Sequence, residues 1–86
     1  MKITKTIFAG IIEYRNEYGF HHNENGPAII HPNGSKAWLI NGKRHRLDGP
    51  AVISRNGSEY WYLNEKQISV SSQEEFERYL RLLVFI

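Results

Sequence analysis

The sequence contains no cysteine, and it has neither a long apolar run nor a strong excess of charge of one sign. Without cysteine, a disulfide framework and a thiolate metal site are both excluded. Eleven lysines and arginines against nine acidic residues give a formal net charge of +2, which is too small by itself to indicate nucleic-acid binding. The lack of cysteine is typical of a reducing compartment, so we expect a cytoplasmic protein.

The longest apolar run lies near the N-terminus, from Ile7 to Ile12, and it ends at Glu13. This run of six residues is too short for the apolar core of a signal peptide or for a membrane span. It predicts a β-strand, and we expect no membrane partner. Signatures of catalysis are missing as well: there is no glycine-rich phosphate loop, no H-E-x-x-H and no G-x-S-x-G. We therefore expect no enzyme, no cofactor and no metal site.

What the sequence does have is a repeat. The segment that starts at His22 recurs at His45, with a constant offset of 23 residues. Such a repeat predicts that each copy is one supersecondary unit that stacks on its neighbour to bury an apolar face. The recurring histidine predicts a structural role, such as binding a backbone carbonyl across a hairpin. The other matching pairs are Gly26/Gly49, Pro27/Pro50, Ala28/Ala51, Ile30/Ile53, Asn33/Asn56, Gly34/Gly57, Ser35/Ser58, Trp38/Trp61, Asn41/Asn64 and Lys43/Lys66.

Turn signals inside each copy predict β-hairpins. Asn33-Gly34 and Asn56-Gly57 tolerate positive φ at both central positions, so we predict two-residue type I′ loops there. Asn41-Gly42 marks a second turn in the first copy, and Asn64-Glu65 marks a looser one in the second. The predicted fold is mainly β (β+α): an antiparallel meander of about six to eight short strands with one C-terminal helix packed on the sheet.

The predicted organisation is a single domain over residues 1–86. Residues 1–22 form a degenerate N-terminal copy that caps the stack, and residues 23–68 form the two 23-residue hairpin repeats. A helix is predicted over residues 71–84, with Ser72 as N-cap and Glu75 completing a capping box. The apolar ending, Val84-Phe85-Ile86, either packs back on the sheet or joins two chains in a homodimer.

Two-residue loops would also decide which side chains share a face of the sheet. They place both tryptophans on one face, which we expect the helix to cover. The other face would carry Tyr60 and Tyr62 beside small alanines, either exposed or covered by strand curvature and by the N-terminal strands. The predicted tryptophan face is Ile29, Trp38, Ile40, Val52, Trp61 and Leu63, and the predicted tyrosine face is Ala28, Ile30, Ala37, Leu39, Ala51, Ile53, Tyr60 and Tyr62.

The best candidate for a binding surface is the tyrosine face with a basic rim. Exposed tyrosines on a rigid platform suit protein interfaces, because they offer a large contact area at low conformational entropy. The same aromatics beside the run Lys43-Arg44-His45-Arg46 could instead stack on single-stranded nucleic acid, which is the alternative hypothesis. The predicted partner-binding residues are Tyr60, Tyr62, Arg44, Arg46, Arg55 and Lys36.

The pattern G-P-A-x-I-x-x-N-G-S-x-x-W-x-x-N-x-K, with H-R-x-D-G-P-A joining the copies, resembles the MORN-like hairpin repeats of small phage and bacterial proteins. The resemblance covers residues 17–68, and the relatives of those proteins include immunity or antitoxin proteins of toxin systems. It implies a meander of hairpins used as a protein-binding scaffold, without shared catalytic residues. The prediction is a small non-catalytic inhibitor, phage-encoded and acting in the host cytoplasm, that blocks a host defence protein, a host enzyme or a toxin by occlusion.

Overall fold

A computed structural model describes residues 2–83, which form a thin plate of nine short strands and one helix, with extents of 41 × 31 × 17 Å. The elements are β1 (Ile3–Phe8), β2 (Ile11–Asn16), β3 (Ile29–Ile30), β4 (Lys36–Ala37), β5 (Leu39–Ile40), β6 (Lys43–Arg44), β7 (Val52–Ile53), β8 (Glu59–Leu63), β9 (Lys66–Ile68) and α1 (Gln73–Leu83). Seven strands form one antiparallel sheet in the order β1-β2-β3-β4-β7-β8-β9, and β5 pairs with β6 separately. The predicted antiparallel β+α meander with a C-terminal helix is confirmed.

The first hairpin of each copy pairs one residue away from the predicted register. In β3–β4, Ile29 lies opposite Ala37 rather than Trp38, and β7–β8 shows the same shift with Val52 opposite Tyr60. Because side chains alternate along a strand, a shift of one residue turns β3 and β7 over relative to β4 and β8. The predicted membership of the two faces is therefore wrong.

The shift arises from a three-residue loop. The N–H of His31 donates to the carbonyl of Ser35 at 2.9 Å, and the N–H of Gly34 donates to the carbonyl of His31 at 3.0 Å. This is a type I turn followed by a glycine bulge, with Gly34 at φ 96°. Pro32 suits the second position of a type I turn, because its ring fixes φ near −65°. The second copy repeats both bonds, with Gly57 at φ 88°.

The second hairpin of each copy has the predicted two-residue turn. Asn41 and Gly42 both have positive φ, at 51° and 79°. Asn64 and Glu65 occupy the same turn in the second copy at 48° and 73°, so a glutamate stands in the left-handed region that favours glycine. The strands on either side pair in register, with Ile40 opposite Lys43 in the first copy. The predicted hairpin turns at these sites are confirmed.

The helix covers only the second tryptophan. Trp61, Ile68 and Phe76 are buried and pack together as the main apolar cluster. The partly buried side chains of Leu63, Val70, Tyr79 and Leu80 pack against this cluster. The predicted N-cap is confirmed, since the Ser72 hydroxyl accepts the N–H of Glu75 at 3.2 Å. Trp38 is only half-buried and lies outside the cluster, and the predicted dimerising tail, Val84–Ile86, lies outside the described residues.

The corrected register defines two faces. The open face carries Ile29, Ala37, Val52 and Tyr60, which stand side by side across β3, β4, β7 and β8. The helix face is the opposite one, from which Trp61 contacts α1. One helix thus covers part of one face, and the open face keeps an apolar centre.

The bulge glycines give a direct test of the loop geometry. A Cβ added at Gly57 would meet nothing within 4 Å, so Gly57→Ala should destabilise only through the left-handed backbone, by about 1 kcal/mol. Gly26→Ala is the matched control, because its new Cβ would make an ordinary 3.7 Å contact with Asn23 and its φ is not in the left-handed region. Urea unfolding measures both variants, and equal losses of stability would contradict the assigned loop.

Candidate protein-binding surface

The recurring histidines join neighbouring copies. The Nδ1 atom of His22 accepts the N–H of Asn41 at 2.9 Å, and that of His45 accepts the N–H of Asn64 at 3.0 Å. A ring nitrogen that accepts carries no proton, so this arrangement places the ring proton of each histidine on Nε2. The predicted structural role is confirmed, although each ring binds a backbone N–H rather than a carbonyl. His22 is 2% exposed, which leaves it no role at the surface.

Arg44 and Tyr62 are held by Glu65, the residue in the unusual turn. The Arg44 Nε and backbone N–H donate to the Glu65 carboxylate at 2.7 and 2.8 Å. The guanidinium lies 4.3 Å from the centre of the Tyr62 ring and donates to its hydroxyl at 3.2 Å. The hydrogen bonds from Arg44 hold the pKa of Glu65 below its ordinary value. The glutamate in this turn therefore has a carboxylate that binds the preceding copy.

Arg46 lies over the ring of Trp38. Its guanidinium is 3.8 Å from the ring centre and donates to Asp48 at 3.0 Å and to the carbonyl of Pro50 at 3.1 Å. Gly49 leaves room for it, since an added Cβ would come within 2.5 Å of the guanidinium carbon. Of the predicted partner-binding residues, Arg44, Arg46 and Tyr62 thus serve contacts within the chain.

The remaining predicted cations border an apolar groove on the open face. Ile29, Ala37 and Val52 form its floor, and the groove encloses about 350 Å³. Lys36 and Arg55 both line it, and neither forms an ion pair within residues 2–83. The full lining is Ile29, His31, Asn33, Ser35, Lys36, Ala37, Val52, Ile53, Ser54 and Arg55.

Tyr60 continues the floor of this groove towards β8. It stands opposite Val52 in the register, and 40% of its surface is exposed. Arg55 and Tyr60 are thus brought to one region, which we call the open-face site: the groove floor with these two side chains. Lys36 borders the groove but precedes Ala37 in β4, so its side chain leaves the sheet on the opposite side. Sequence reasoning missed the floor itself, because Ile29 and Val52 reach this face only through the bulged loop.

The N-terminal copy contributes a buried polar residue that the sequence analysis did not single out. Asn16 is 4% exposed, and its carbonyl oxygen accepts the N–H groups of Tyr18 and Phe20 at 3.0 and 3.1 Å. Its amide donates to the Asn41 side chain at 2.9 Å, which ties the cap to the first full copy. Its position directly before the Glu17-Tyr18-Gly19 loop is the sequence signal, since asparagine side chains often bond to the backbone of a turn that they open.

Within residues 2–83, no group of three histidines or acidic residues is placed to hold a metal ion. The single helix of the described range is not long and apolar enough to cross a membrane. The carboxylate of Glu13 also has its partners within the chain. A hydrogen bond from His21 at 2.7 Å, aided by Arg15, lowers the pKa of its carboxyl group.

Comparison with protein families, with curated proteins and with solved structures finds no match for this chain. The resemblance to MORN-like repeats therefore stays a prediction, and the site has to be interpreted from its own geometry.

The buried histidine gives a prediction about stability. In His22→Ala a side chain that is 2% exposed is removed and the N–H of Asn41 loses its partner, so the free energy of unfolding should fall by about 2 to 4 kcal/mol. His45→Ala removes the same bond where the ring is only half-buried and water can replace it, so it should cost about 1 kcal/mol. Chemical denaturation compares the two, and a larger loss for His45→Ala would contradict this account.

The Arg44–Glu65 pair predicts a loss of stability in acid. Because the folded pKa of Glu65 is lowered, the unfolded chain binds more protons there, so the stabilisation is complete above about pH 5 and disappears as the pH falls through the folded value. Glu65→Gln keeps the turn and removes the charge, so its free energy of unfolding should fall less between about pH 6 and about pH 3.

Both side chains of this pair are more than a third exposed, so the difference between wild type and Glu65→Gln should stay below about 1 kcal/mol. Glu13 titrates in the same range in both proteins, so its contribution cancels in the comparison. Urea unfolding at several pH values provides the measurement. Identical acid dependence in the two proteins would show that the pair adds nothing to stability.

Proposed function

We propose that this protein is a small non-catalytic inhibitor that binds another protein through the open-face site and blocks it by steric occlusion. The observation that carries the proposal is the apolar groove bordered by Arg55, a cation without an ion-pair partner in residues 2–83. Its target would be a host defence protein, a host enzyme or a toxin. The source would be a phage or a bacterial immunity system, as the resemblance to MORN-like repeats implies.

The composition of the groove supports a particular kind of target. An apolar floor with a cation at its border suits an aliphatic or aromatic side chain beside an acidic one. Interface energies concentrate in such central apolar contacts, while charges at the border raise the association rate and select the partner. Tyr60 adds an aromatic contact of low conformational entropy beside the floor.

The alternative, a nucleic-acid-binding module on the Lys43–Arg46 rim, loses support from the contacts of its arginines. Arg44 is paired with Glu65 and Arg46 with Asp48, so both charges are balanced within the chain. Tyr62, the aromatic nearest to them, is covered by the Arg44 guanidinium. A phosphate backbone would find few unpaired cations there.

The test is target binding by charge-reversed variants. Once a partner is captured from host lysate, Arg55→Glu should weaken its binding at least about tenfold, and Tyr60→Ala should do the same. Arg81→Glu changes the net charge equally at an exposed position away from the groove, so it should change binding by less than about threefold.

The outcomes separate the two functions. If both charge-reversed variants weaken binding equally, net charge rather than the open-face site governs association, and the proposed site is wrong. If the ligand is nucleic acid, affinity should fall steeply as salt rises, whereas an apolar protein interface responds weakly. Isothermal titration at several salt concentrations distinguishes these cases.

A further inference from the structure

The helix face has a second groove, separate from the open-face site. It encloses about 510 Å³ over Trp38 and Ile40, between the loops of residues 23–27 and residues 45–48. Trp38 follows Ala37 directly, so its side chain leaves the sheet on the side opposite the open-face site. We call this the Trp38 groove; it is lined by Asn23, Glu24, Asn25, Gly26, Pro27, Trp38, Ile40, His45, Arg46, Leu47 and Asp48.

The repeat shows what this space holds elsewhere in the same molecule. The residues of the second copy that correspond to Trp38 and Ile40, at the offset of 23, are Trp61 and Leu63, and both lie beneath α1. There Phe76 is fully buried and Leu80 packs beside it. The helix thus fills, in the second copy, the place that stays open in the first.

The same helix also satisfies the polar atoms of its seat. The Trp61 indole N–H donates to the side-chain oxygen of Gln73 at 2.8 Å, and the amide nitrogen of Gln73 donates to the carbonyl of Leu47 at 3.2 Å. Within residues 2–83, the indole of Trp38 has no counterpart of the bond to Gln73. Glu24 stands at the position that Leu47 occupies in the second copy, so one wall of this groove is acidic where the seat of α1 has leucine.

The chain does not close the Trp38 groove by itself. Arg46 covers one side of the ring, but it is held in place by Asp48 and the carbonyl of Pro50. Leu47, the counterpart of the packed Val70, remains 54% exposed at the border of the groove. α1 cannot serve both seats, since leaving Trp61 would expose Phe76 to water.

We infer that the Trp38 groove is a docking site for an amphipathic α-helix of a partner protein. The occupant would carry an aromatic and an aliphatic side chain four residues apart, as Phe76 and Leu80 are in α1, and a hydrogen-bond acceptor for the Trp38 indole. The walls of the groove carry two carboxylates, Glu24 and Asp48, against one arginine, Arg46. The flanks of the bound helix would therefore be neutral or basic rather than acidic. This inference does not depend on the open-face site.

A peptide with the sequence of α1 and its N-cap is the probe. It spans residues 70–83 and carries Glu74→Gln and Glu77→Gln, which remove its repulsion from the acidic walls. Titrated into the isotope-labelled full chain, it should shift the indole N–H resonance of Trp38 and leave that of Trp61 in place. The same peptide with Phe76→Ala should bind at least about tenfold more weakly, because it lacks the aromatic anchor.

Two variants of the full chain complete the test. Trp38→Ala should lower the affinity for the peptide at least about tenfold, and Leu47→Glu should do the same from an exposed position where it need not disturb the fold. Tyr60→Ala, on the open face, should bind the peptide as wild type does. The spectrum of each free variant shows whether it is folded.

Three outcomes would overturn the inference. The first is no resonance shift at millimolar peptide. The second is a shift centred on Trp61, which would mean that the peptide displaces the chain's own α1. The third is peptide-free self-association that shifts the Trp38 resonance, since the groove would then take the helix of a second copy rather than that of a partner.

Discussion

The hydrogen bonds between the second turn of one copy and the copy before it hold the whole plate together. In the first full copy, the Gly42 N–H donates to the carbonyl of His21, and in the second the Glu65 N–H donates to the carbonyl of Arg44. Beside each stands the bond from a turn N–H to His22 or His45. A plate 17 Å thick has little interior, so these directional bonds, rather than a deep core, fix how the copies stack.

The two copies diverge where this stacking leaves surface to cover. In the second copy the chain turns into α1 and buries Trp61, whereas in the first it continues through Arg46 and leaves Trp38 half-buried. The two copies thus form similar surfaces around Trp38 and Trp61, but a helix covers only the second. On the opposite face, no element of residues 2–83 covers the row of Ile29, Ala37 and Val52. Both proposed binding surfaces follow from this shortage of covering elements.

Much of the fold could be predicted from local patterns. The 23-residue period, the hairpin turns at Asn41 and Asn64 and the cap at Ser72 were all predicted correctly, because each depends on neighbours close in sequence. The register of the first hairpin of each copy was predicted wrongly. Asn-Gly favours a two-residue loop, but Pro32 and the glycine bulge make a three-residue loop, and this single residue exchanges the faces.

The candidate site could be predicted from the sequence only in part, because it too depends on how distant strands pair. The cations and tyrosines were predicted as one rim, yet Arg44 and Arg46 have their partners inside the chain, while Lys36 and Arg55 have none within residues 2–83. Pairing of this kind depends on which residues of different copies come within a few ångströms. The sequence by itself determined the repeat, the turns and the single helix, since these follow from backbone preferences and hydrophobic period. Only the tertiary structure decided which cations stay unpaired and which tryptophan stays uncovered, because both depend on contacts between residues distant in the chain.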